Sequence, residues 1–448
     1  MGICDMIIDI LNSDSDPAGR NIRAAIDELL KNPPEGGFPL FDGNEVTFHT
    51  VSGRIIHAEK SAVNPDADLI IVVSRHSSVN PVPVLTVHPA GNFGIAGLGG
   101  NDRELGLTSP AWMKSILQNH AEFVPEGYRV SYEITHHGPT DFPVPFFFVE
   151  VGSTEKEWND PAACIAAAKS VLYARPSPEI VPLIGFGGTH YAVRQTAIGL
   201  ETKGAFGHMM HTRDVGSVSK EMVSQMIAKS CGVFAAHIDR KALSKQEISH
   251  IEGILAEVGL EEITEGDLRK MNAMSFSTWV AYRDLAALQA PGLKIFPHGR
   301  IFDGDPAVVE LPSDLFSAAF LGYEEIFLAE LDKMGNIFHT TGKGGRLMPT
   351  LLTSAKNRQK VSGDLIVLSV QQITRTQDSL VEGDQITIAR RQFDPVLART
   401  LGVPSGPLYG QLVAGKPVTL PDGRMITPDM VTKVVRTSIK IPGLENYS

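Results

Sequence analysis

Histidine follows an apolar run or a glycine turn at five separate places in this chain. The residues are His76, His88, the adjacent pair His136 and His137, His190 and His208. A lone histidine at such a place is more often a hydrogen-bonded structural residue than a ligand. If the preceding strands are mainly parallel, however, their ends meet at one crevice of the sheet. Histidines arriving there from five segments favour a metal site or an acid/base site.

A single carboxylate interrupts the apolar run 144–151 close to its end. Residues two apart on a strand share a face, so Phe146, Phe148 and Glu150 are predicted to line one side. Burying an unpaired carboxylate in such a run is strongly unfavourable. We therefore expect Glu150 to lie at the rim of the strand, to have a fixed cationic partner, or to bind a metal. A strand–turn–helix unit with a stray glutamate and a surface histidine pair would explain the same stretch.

The elements that must position these side chains alternate between strands and helices. Strands are predicted at 3–11, 46–51, 68–73, 84–87, 130–135 and 180–184. The dipeptides Asp16-Pro17 and Asp160-Pro161 each place a capping residue before a proline, which predicts helices through residue 30 and through residue 174. This order predicts an α/β fold with a mixed sheet flanked by helices.

The chain is too long, at 448 residues, for one typical core. Two helices are predicted between residues 221 and 259, with the polar linker 239–245 between them. The charged stretch 261–270 then predicts a boundary between a domain at 1–265 and a C-terminal α+β extension at 266–448. In the extension, a helix is predicted at 315–332, a glycine-rich loop at 336–349, and strands at 364–371 and 385–389.

Composition excludes several classes of protein. Charged residues make up 20% and hydrophobic residues 43%, which is typical of a globular protein and not of a disordered one. The three cysteines form no CxxC pair, which excludes a disulfide framework and a cysteine zinc ribbon and favours a reducing cytoplasm. No signal peptide or membrane span is predicted. The net charge of −11 argues against a uniformly basic surface, although a local basic patch would suffice for nucleic acid.

The glycine-rich segment before His190 is not a nucleotide-binding fingerprint. It lacks the third glycine of GxGxxG, and the chain has no P-loop. Gly187, Gly188 and Thr189 could instead let the backbone approach a ligand closely and offer N–H groups to an anion or an oxyanion. A tight strand-to-helix turn explains the same residues equally well.

Six motifs in a fixed order resemble the archaeal and plant type of D-aminoacyl-tRNA deacylase, over about the first three fifths of the chain. The motifs are residues 74–78, 86–92, 136–140, 148–153, 187–192 and 205–208. The resemblance implies hydrolysis of the ester between a D-amino acid and tRNA, zinc dependence with two ions per subunit, and a monomeric cytoplasmic enzyme. It also implies a core similar to phosphorylases and peptidyl-tRNA hydrolases. The family commonly has Pro-Lys-Tyr-Ala after the last motif, and this chain departs from that pattern at 209–213.

Site roles follow from the residue types and the resemblance together. We expect metal ligands among His88, His136, His190 and His208, with Glu150 as a ligand or catalytic carboxylate. His76 and His137 are expected to move or orient protons. Only one of His136 and His137 should face the metal if the backbone is extended there. Arg75 and the segment 187–189 are expected to bind substrate.

Two other functions fit the same residues. A phosphorylase-like enzyme would hold phosphate with Arg75 and the glycine loop and would need no metal. A non-catalytic tRNA-binding module would not depend on the histidines for any turnover.

Two features of the extension point towards tRNA. Residues 401–431 resemble a segment of metallo-β-lactamase-fold tRNA 3′-processing nucleases, although the histidine cluster of those enzymes is absent. The window 331–360 carries six basic residues against one aspartate, and contact with a tRNA backbone or an ordinary solvated surface would both explain it.

Overall fold

The computed structural model describes residues 6–272, 274–299, 304–441 and 444, and residues 3–5 of the first predicted strand lie outside this part. The chain divides into two compact units, Met1–Phe276 and Ser277–Ser448, which we call unit 1 and unit 2. The predicted boundary after residue 265 therefore falls inside unit 1. Among the described residues, no helix is both long and apolar enough to cross a membrane.

A six-stranded mixed sheet forms the centre of unit 1. Its strands are β1 (Ile7–Ser13), β2 (Glu45–Val51), β3 (Leu69–Arg75), β4 (Val84–His88), β5 (Arg129–Tyr132) and β6 (Phe146–Gly152). The order is β2-β1-β3-β6-β4-β5, and all pairs are parallel except β4 with β6. The sheet is therefore mixed, as predicted, and β4 and β5 run against the other four strands. The reversal of β4 places Thr86 opposite Glu150 and His88 opposite Phe148.

A second, three-stranded sheet in unit 1 is fully parallel. It consists of β7 (Val181–Phe186), β8 (Gly204–Met210) and β9 (Ala235–Ile238) in the order β8-β7-β9. Strand β9 was not predicted from the sequence, because its four residues lie between two helical patterns.

Helices surround these two sheets. They are α1 (Pro17–Lys31), α2 (Pro110–Phe123), α3 (Glu155–Trp158), α4 (Pro161–Leu172), α5 (Val193–Glu201), α6 (Thr212–Val215), α7 (Lys220–Lys229), α8 (Lys245–Val258) and α9 (Glu265–Met271). Asp16 accepts a hydrogen bond from the Gly19 amide and Asp160 accepts one from the Ala162 amide, so both predicted caps are confirmed. The mixed α/β architecture is confirmed with them.

Unit 2 combines small antiparallel sheets with helices. Its elements are α10 (Phe276–Gln289), β10 (Lys294–His298), β11 (Pro306–Glu310), α11 (Ser313–Phe320), α12 (Glu324–Met334), β12 (Ile337–Thr341), β13 (Leu347–Ser354), α13 (Arg358–Thr376), β14 (Asp378–Glu382), β15 (Gln385–Phe393), α14 (Pro395–Thr400), α15 (Pro407–Val413), β16 (Val418–Thr419), β17 (Met425–Ile426) and β18 (Thr432–Lys440). The sheets have the orders β10-β12-β13-β11, β14-β15-β18 and β16-β17. This arrangement agrees with the predicted α+β extension.

Two predictions for unit 2 are wrong in detail. Residues 364–371 were predicted to be a strand but lie inside α13, where Val361, Leu365 and Ile373 are buried at helical spacing. The single helix predicted at 315–332 is two helices, α11 and α12, and Gly322 between them has a φ of 83°.

Candidate metal centre

Strand ends and the loops after them bring the candidate side chains of unit 1 together. His76 follows β3, His88 is the last residue of β4, and Glu133 directly follows β5. Glu150 lies on β6, where it is paired with Ser74 on one side and Thr86 on the other. All four candidate residues are nearly or completely buried, so the strand pairing fixes them at one place in the core.

Glu133 is the carboxylate at the centre of the cluster. Its Oε1 atom lies 3.1 Å from His76 Nδ1. Its Oε2 atom lies 2.9 Å from His190 Nε2 and 3.5 Å from His136 Nε2. Three imidazoles from three segments therefore surround one fully buried carboxylate.

Glu150 is a second buried carboxylate next to the first. Ser74 Oγ donates a hydrogen bond of 2.7 Å to its Oε1 atom. Its Oε2 atom lies 3.5 Å from His88 Nε2 and 3.7 Å from His76 Nδ1. A position at the exposed rim of the strand is thus excluded for Glu150, and imidazole partners are present.

Backbone carbonyls fix the rings of three histidines. His88 Nδ1 lies 3.1 Å from the Pro89 oxygen, His136 Nδ1 lies 2.7 Å from the Ile134 oxygen, and His137 Nδ1 lies 2.8 Å from the Gly138 oxygen. A carbonyl oxygen can only accept, so each Nδ1 must carry the proton. In the neutral rings Nε2 then keeps its lone pair, which is the state in which imidazole binds a metal.

The cluster has the donor atoms and the spacing that a cation requires. Three overlapping sets each bring their ligand atoms within 4.8 Å of one another: His88, His136 and His137; His76, Glu133 and His190; and His88, Glu133 and Glu150. His190 Nε2 and both Glu133 oxygens are buried without an aligned hydrogen-bond partner, despite the 2.9 Å approach between them. Lone pairs that approach without a well-aligned hydrogen between them suit a shared cation, so the residues present fit a metal.

Both members of the His136 and His137 pair reach the cluster, in contrast to the prediction that only one would. The reason is the backbone of His137, whose φ of 46° lies in the left-handed region. The chain is therefore not extended at this point, and the alternation of side chains that holds in a strand does not apply.

The electrostatics of the cluster favour bound positive charge. Burial alone would raise the pKa of Glu133 and Glu150, but the neighbouring imidazoles outweigh it and hold both pKa values well below the usual range. Burial opposes protonation of His76, yet Glu133 and Glu150 raise its pKa to about 11. Burial and the neighbouring His88 lower the pKa of His137 to about 4. Two ionised carboxylates thus face rings that are partly neutral.

An open cavity of about 430 Å³ leads to this cluster. Its lining includes His76, His136, His137, Glu150 and His190. A molecule in the cavity would therefore meet the Glu150 carboxylate and four imidazoles.

Comparison with known proteins shows the family. Residues 63–263 match the family model described as D-aminoacyl-tRNA deacylase. Proteins named D-aminoacyl-tRNA deacylase are 43% identical in Methanoregula boonei and 40% identical in Methanoculleus marisnigri, each over 99% of this chain and 100% of the relative. The chain belongs to the D-aminoacyl-tRNA deacylase family.

A crystal structure of a conserved protein of unknown function has a fold similar to part of this deacylase-family chain. The two superpose with a TM-score of 0.53 at 28% identity, over 60% of this chain and 98% of the other. The fold it matches therefore accounts for nearly all of that protein and about three fifths of this one.

One predicted ligand of the deacylase-family site, His208, lies elsewhere. Its Nδ1 atom is 3.1 Å from Thr135 Oγ1 and its Nε2 atom is 2.9 Å from the Gly106 oxygen. Both ring nitrogens are thus used within the protein core, and burial lowers the pKa of the ring to about 4. His208 lies inside β8 and is held there by these two contacts, whereas His76 and His190 lie in the loops that follow β3 and β7.

The predicted anion cradle before His190 is also not formed. The Gly187 amide donates to the Met210 oxygen at 3.0 Å, and the Gly188 amide donates to Thr212 Oγ1 at 3.0 Å. Thr189 is exposed and does not line the cavity. The amides are already satisfied, so this segment is a tight turn, whereas Arg75 does line the cavity.

Glu133 is the functional candidate that sequence reasoning missed. It lies in the predicted strand 130–135, between Tyr132 and Ile134, and precedes His136 by three positions. The argument applied to Glu150, that a lone carboxylate in an apolar run needs a cationic partner or a metal, would have found it.

Proposed function

We propose that this protein hydrolyses the ester bond of D-aminoacyl-tRNA and releases the free D-amino acid and tRNA. The observation that carries the proposal is the convergence of Glu133, Glu150 and carbonyl-fixed histidines at an open cavity. Membership of the deacylase family gives this arrangement its substrate class. Recycling of mischarged tRNA would be the role of such an enzyme in translation quality control.

Hydrolysis of an aminoacyl ester needs little catalytic assistance from the protein, because the ester is already activated. Water adds to the carbonyl carbon and loses a proton, the bond from that carbon to the ribose oxygen breaks, and the ribose oxygen takes up a proton and becomes a hydroxyl. His76 is placed to move the proton, since Nδ1 faces Glu133 and Nε2 lies 3.1 Å from the Tyr191 hydroxyl. His137 is the second candidate for this role, and Glu150 orients His76 and His88.

Zinc is the metal that we propose for the cluster. Imidazole nitrogens and carboxylate oxygens without a thiolate suit Zn²⁺. Glu133 and His190 would contribute ligands to one ion and His88, His136 and Glu150 to the second, so that His76 and His137 keep a ring nitrogen for proton transfer. Zinc would supply hydroxide at neutral pH by lowering the pKa of water to about 7.

The finer features implied by the family are parts of the same proposal. They are a core similar to phosphorylases and peptidyl-tRNA hydrolases, action in the cytoplasm as a monomer, and a deacylase domain that corresponds to unit 1. Unit 2 would then contact tRNA without taking part in the chemistry.

The two alternative functions have less support. A phosphorylase-like site would need the Gly187 and Gly188 amides for phosphate, and both amides donate to protein oxygens. A tRNA-binding module without catalysis would have no use for two buried carboxylates, since burying charge is costly.

One preparation of purified protein tests the proposal. We would measure its metal content and assay deacylation of D-tyrosyl-tRNA beside L-tyrosyl-tRNA. We expect zinc in the protein and rapid hydrolysis of the D-ester alone. Full activity after complete removal of metal would contradict the mechanism, and no hydrolysis of the D-ester by zinc-loaded protein would contradict the function.

A further inference from the structure

Three arginines from three separate segments line the cavity above the metal centre. Arg54 follows β2, Arg75 is the last residue of β3, and Arg213 lies on α6 just after β8. In the described part of the chain, neither Arg54 nor Arg75 has a carboxylate within ion-pair distance, and Arg213 reaches only its half-buried neighbour Asp214 at 3.6 Å. The positive charges of Arg54 and Arg75 in the wall of the cavity are therefore not neutralised by a direct ion pair within this part of the chain.

Arg75 is the most firmly placed of the three. Its guanidinium carbon lies 5.1 Å from the ring centroid of Trp158, and the Trp158 indole donates a hydrogen bond of 2.8 Å to the His76 carbonyl. The Arg75 amide donates to Asp16 Oδ2 at 3.1 Å. These contacts tie the guanidinium to the segment that carries His76, so its distance from the metal centre is fixed by the fold.

Negative charge lies deep in this region of the protein, and positive charge lies nearer to solvent. Glu133 and Glu150 are buried among imidazoles, whereas Arg54 and Arg213 are exposed. Asp16 also lines the cavity, but its two oxygens accept from the Gly19 and Arg75 amides. A substrate that carries an anion at one end and a polar ester at the other matches this division. Guanidinium groups bind phosphate oxygens in pairs, which gives direction as well as attraction.

We propose that Arg54, Arg75 and Arg213 bind the phosphate of the terminal nucleotide of the substrate, one ribose away from the ester. This inference rests on the proposed deacylase function and adds the group by which the site recognises a nucleotide. The phosphate then sets the register of the ribose, so that the ester carbonyl lies at the metal centre. Arg54 and Arg213 act as positioning residues, because they do not touch the reacting atoms.

Two minimal substrates test the inference: 3′-O-D-tyrosyl adenosine and the same ester with a 5′-phosphate. We expect the wild-type protein to prefer the phosphorylated ester in kcat/KM by about 10- to 100-fold, as for charge-assisted hydrogen bonds. Arg54→Gln and Arg213→Gln should each reduce that preference, mainly through KM, and leave hydrolysis of the unphosphorylated ester unchanged. Arg175→Gln is the matched control, because Arg175 is exposed and pairs with Asp42 away from the cavity lining.

The possible results distinguish the proposed phosphate site from the proposed deacylase function. Equal hydrolysis of both esters by the wild-type protein would overturn the phosphate site and leave the deacylase function intact. Hydrolysis of D-tyrosyl-tRNA but of neither small ester would also overturn it, since recognition would then lie beyond the terminal nucleotide. Failure on D-tyrosyl-tRNA itself would instead remove the proposed function. Zinc content measured on every variant identifies any change that acts through the metal centre.

Discussion

Both units of the molecule contain buried histidines in contact with each other and with a carboxylate, but the two groups are organised differently. In unit 2, His298 Nδ1 lies 2.6 Å from Asp332 Oδ1, and His298 Nε2 lies 2.6 Å from His339 Nδ1. If His298 is neutral and donates to Asp332, its Nε2 must accept from His339. In unit 1, backbone carbonyls accept hydrogen bonds from Nδ1 of His88, His136 and His137, and Nε2 of His88 and His136 faces the carboxylates. Among the described residues, candidate metal groups occur only in unit 1.

The cavities next to these two groups of histidines also differ between the units. The cavity of unit 2 is larger, about 630 Å³, and its lining is rich in apolar side chains such as Phe316, Phe320 and Met348. The cavity of unit 1 has about 430 Å³ and is lined by Glu150 and four histidines of the cluster. Neither the size of a cavity nor the proximity of two histidines therefore distinguishes the proposed site of unit 1 from the histidine pair of unit 2. The groups that contact the ring nitrogens of the histidines do distinguish them.

The largest expected effect is the loss of activity when a carboxylate of the unit 1 cluster is replaced. Glu133→Gln and Glu150→Gln should each lower kcat for D-tyrosyl-tRNA by about 100-fold or more, because a ligand or positioned base is lost. His136→Ala and His190→Ala should act similarly. Chelation should abolish activity and zinc should restore it.

The control for these variants is Asp332→Asn, which removes the equivalent charge in unit 2. It should leave zinc content and kcat unchanged. Wild-type turnover by a folded Glu150→Ala protein would show that the site lies elsewhere.

A smaller loss of activity should follow from crowding the centre without removing a ligand. A Cβ atom added at Gly152 would lie 2.5 Å from His76 Cβ, so Gly152→Ala must displace His76. We expect kcat to fall by about 10- to 100-fold, since misplacement of catalytic groups by about 1 Å has effects of this order. Gly253→Ala is the matched control, because nothing lies within 4 Å of the added atom. Equal kcat values for the two variants would contradict the placement of His76.

Loss of the histidine pair in unit 2 should change stability and not catalysis. His298→Ala removes one partner from a buried contact with His339 and from a partly buried contact with Asp332, which costs about 1–3 kcal/mol of unfolding free energy. Thermal or denaturant unfolding would measure the change. Deacylation by the folded variant should proceed at the wild-type rate, and a large fall in kcat would break the distinction between the two units.

The smallest effect concerns the basic window of unit 2. Five of its six cations form two groups, Lys343 with Arg346 before β13 and Lys356, Arg358 and Lys360 after it, and all five are exposed. The eight residues of β13 separate the groups by about 26 Å at a rise of about 3.3 Å per residue.

Changing Lys356, Arg358 and Lys360 to Gln should raise KM for charged tRNA. It should also flatten the salt dependence of binding by up to about 2 to 3 log units per log unit of salt. Saturated turnover should stay the same, and an unchanged salt slope would leave this window as ordinary surface.

Sequence patterns predicted elements where the signal is local. Asp16 and Asp160, each followed by proline, predicted the starts of α1 and α4, because capping depends on neighbouring residues. The strand at 364–371 was wrong because a short apolar run does not distinguish a strand from a buried helix face. Strand β9 was missed for a related reason, since four residues give too little periodicity.

Prediction of the candidate site was likewise limited to features that leave a local sequence pattern. His76, His88, His136, His137, His190 and Glu150 were predicted, and the structure brings them together. The sequence could not reveal that β4 runs against β6, or that His208 belongs to another sheet, because pairing between distant strands leaves no local pattern. The left-handed backbone at His137, which brings both adjacent rings to the cluster, was equally hidden.

The carbonyls that fix the rings of His88, His136 and His137 belong to residues only one or two positions away. Every residue type has a main-chain carbonyl, so mutation of a neighbouring side chain does not delete these acceptors. The orientation of the rings can therefore persist while the surrounding sequence drifts over evolutionary time. Glu150 has no such protection, because a single codon change at Ser74 removes the hydroxyl that holds it. Within this site, the orientation of His88, His136 and His137 does not depend on the side chains of their neighbours. The orientation of Glu150 does depend on the side chain at position 74.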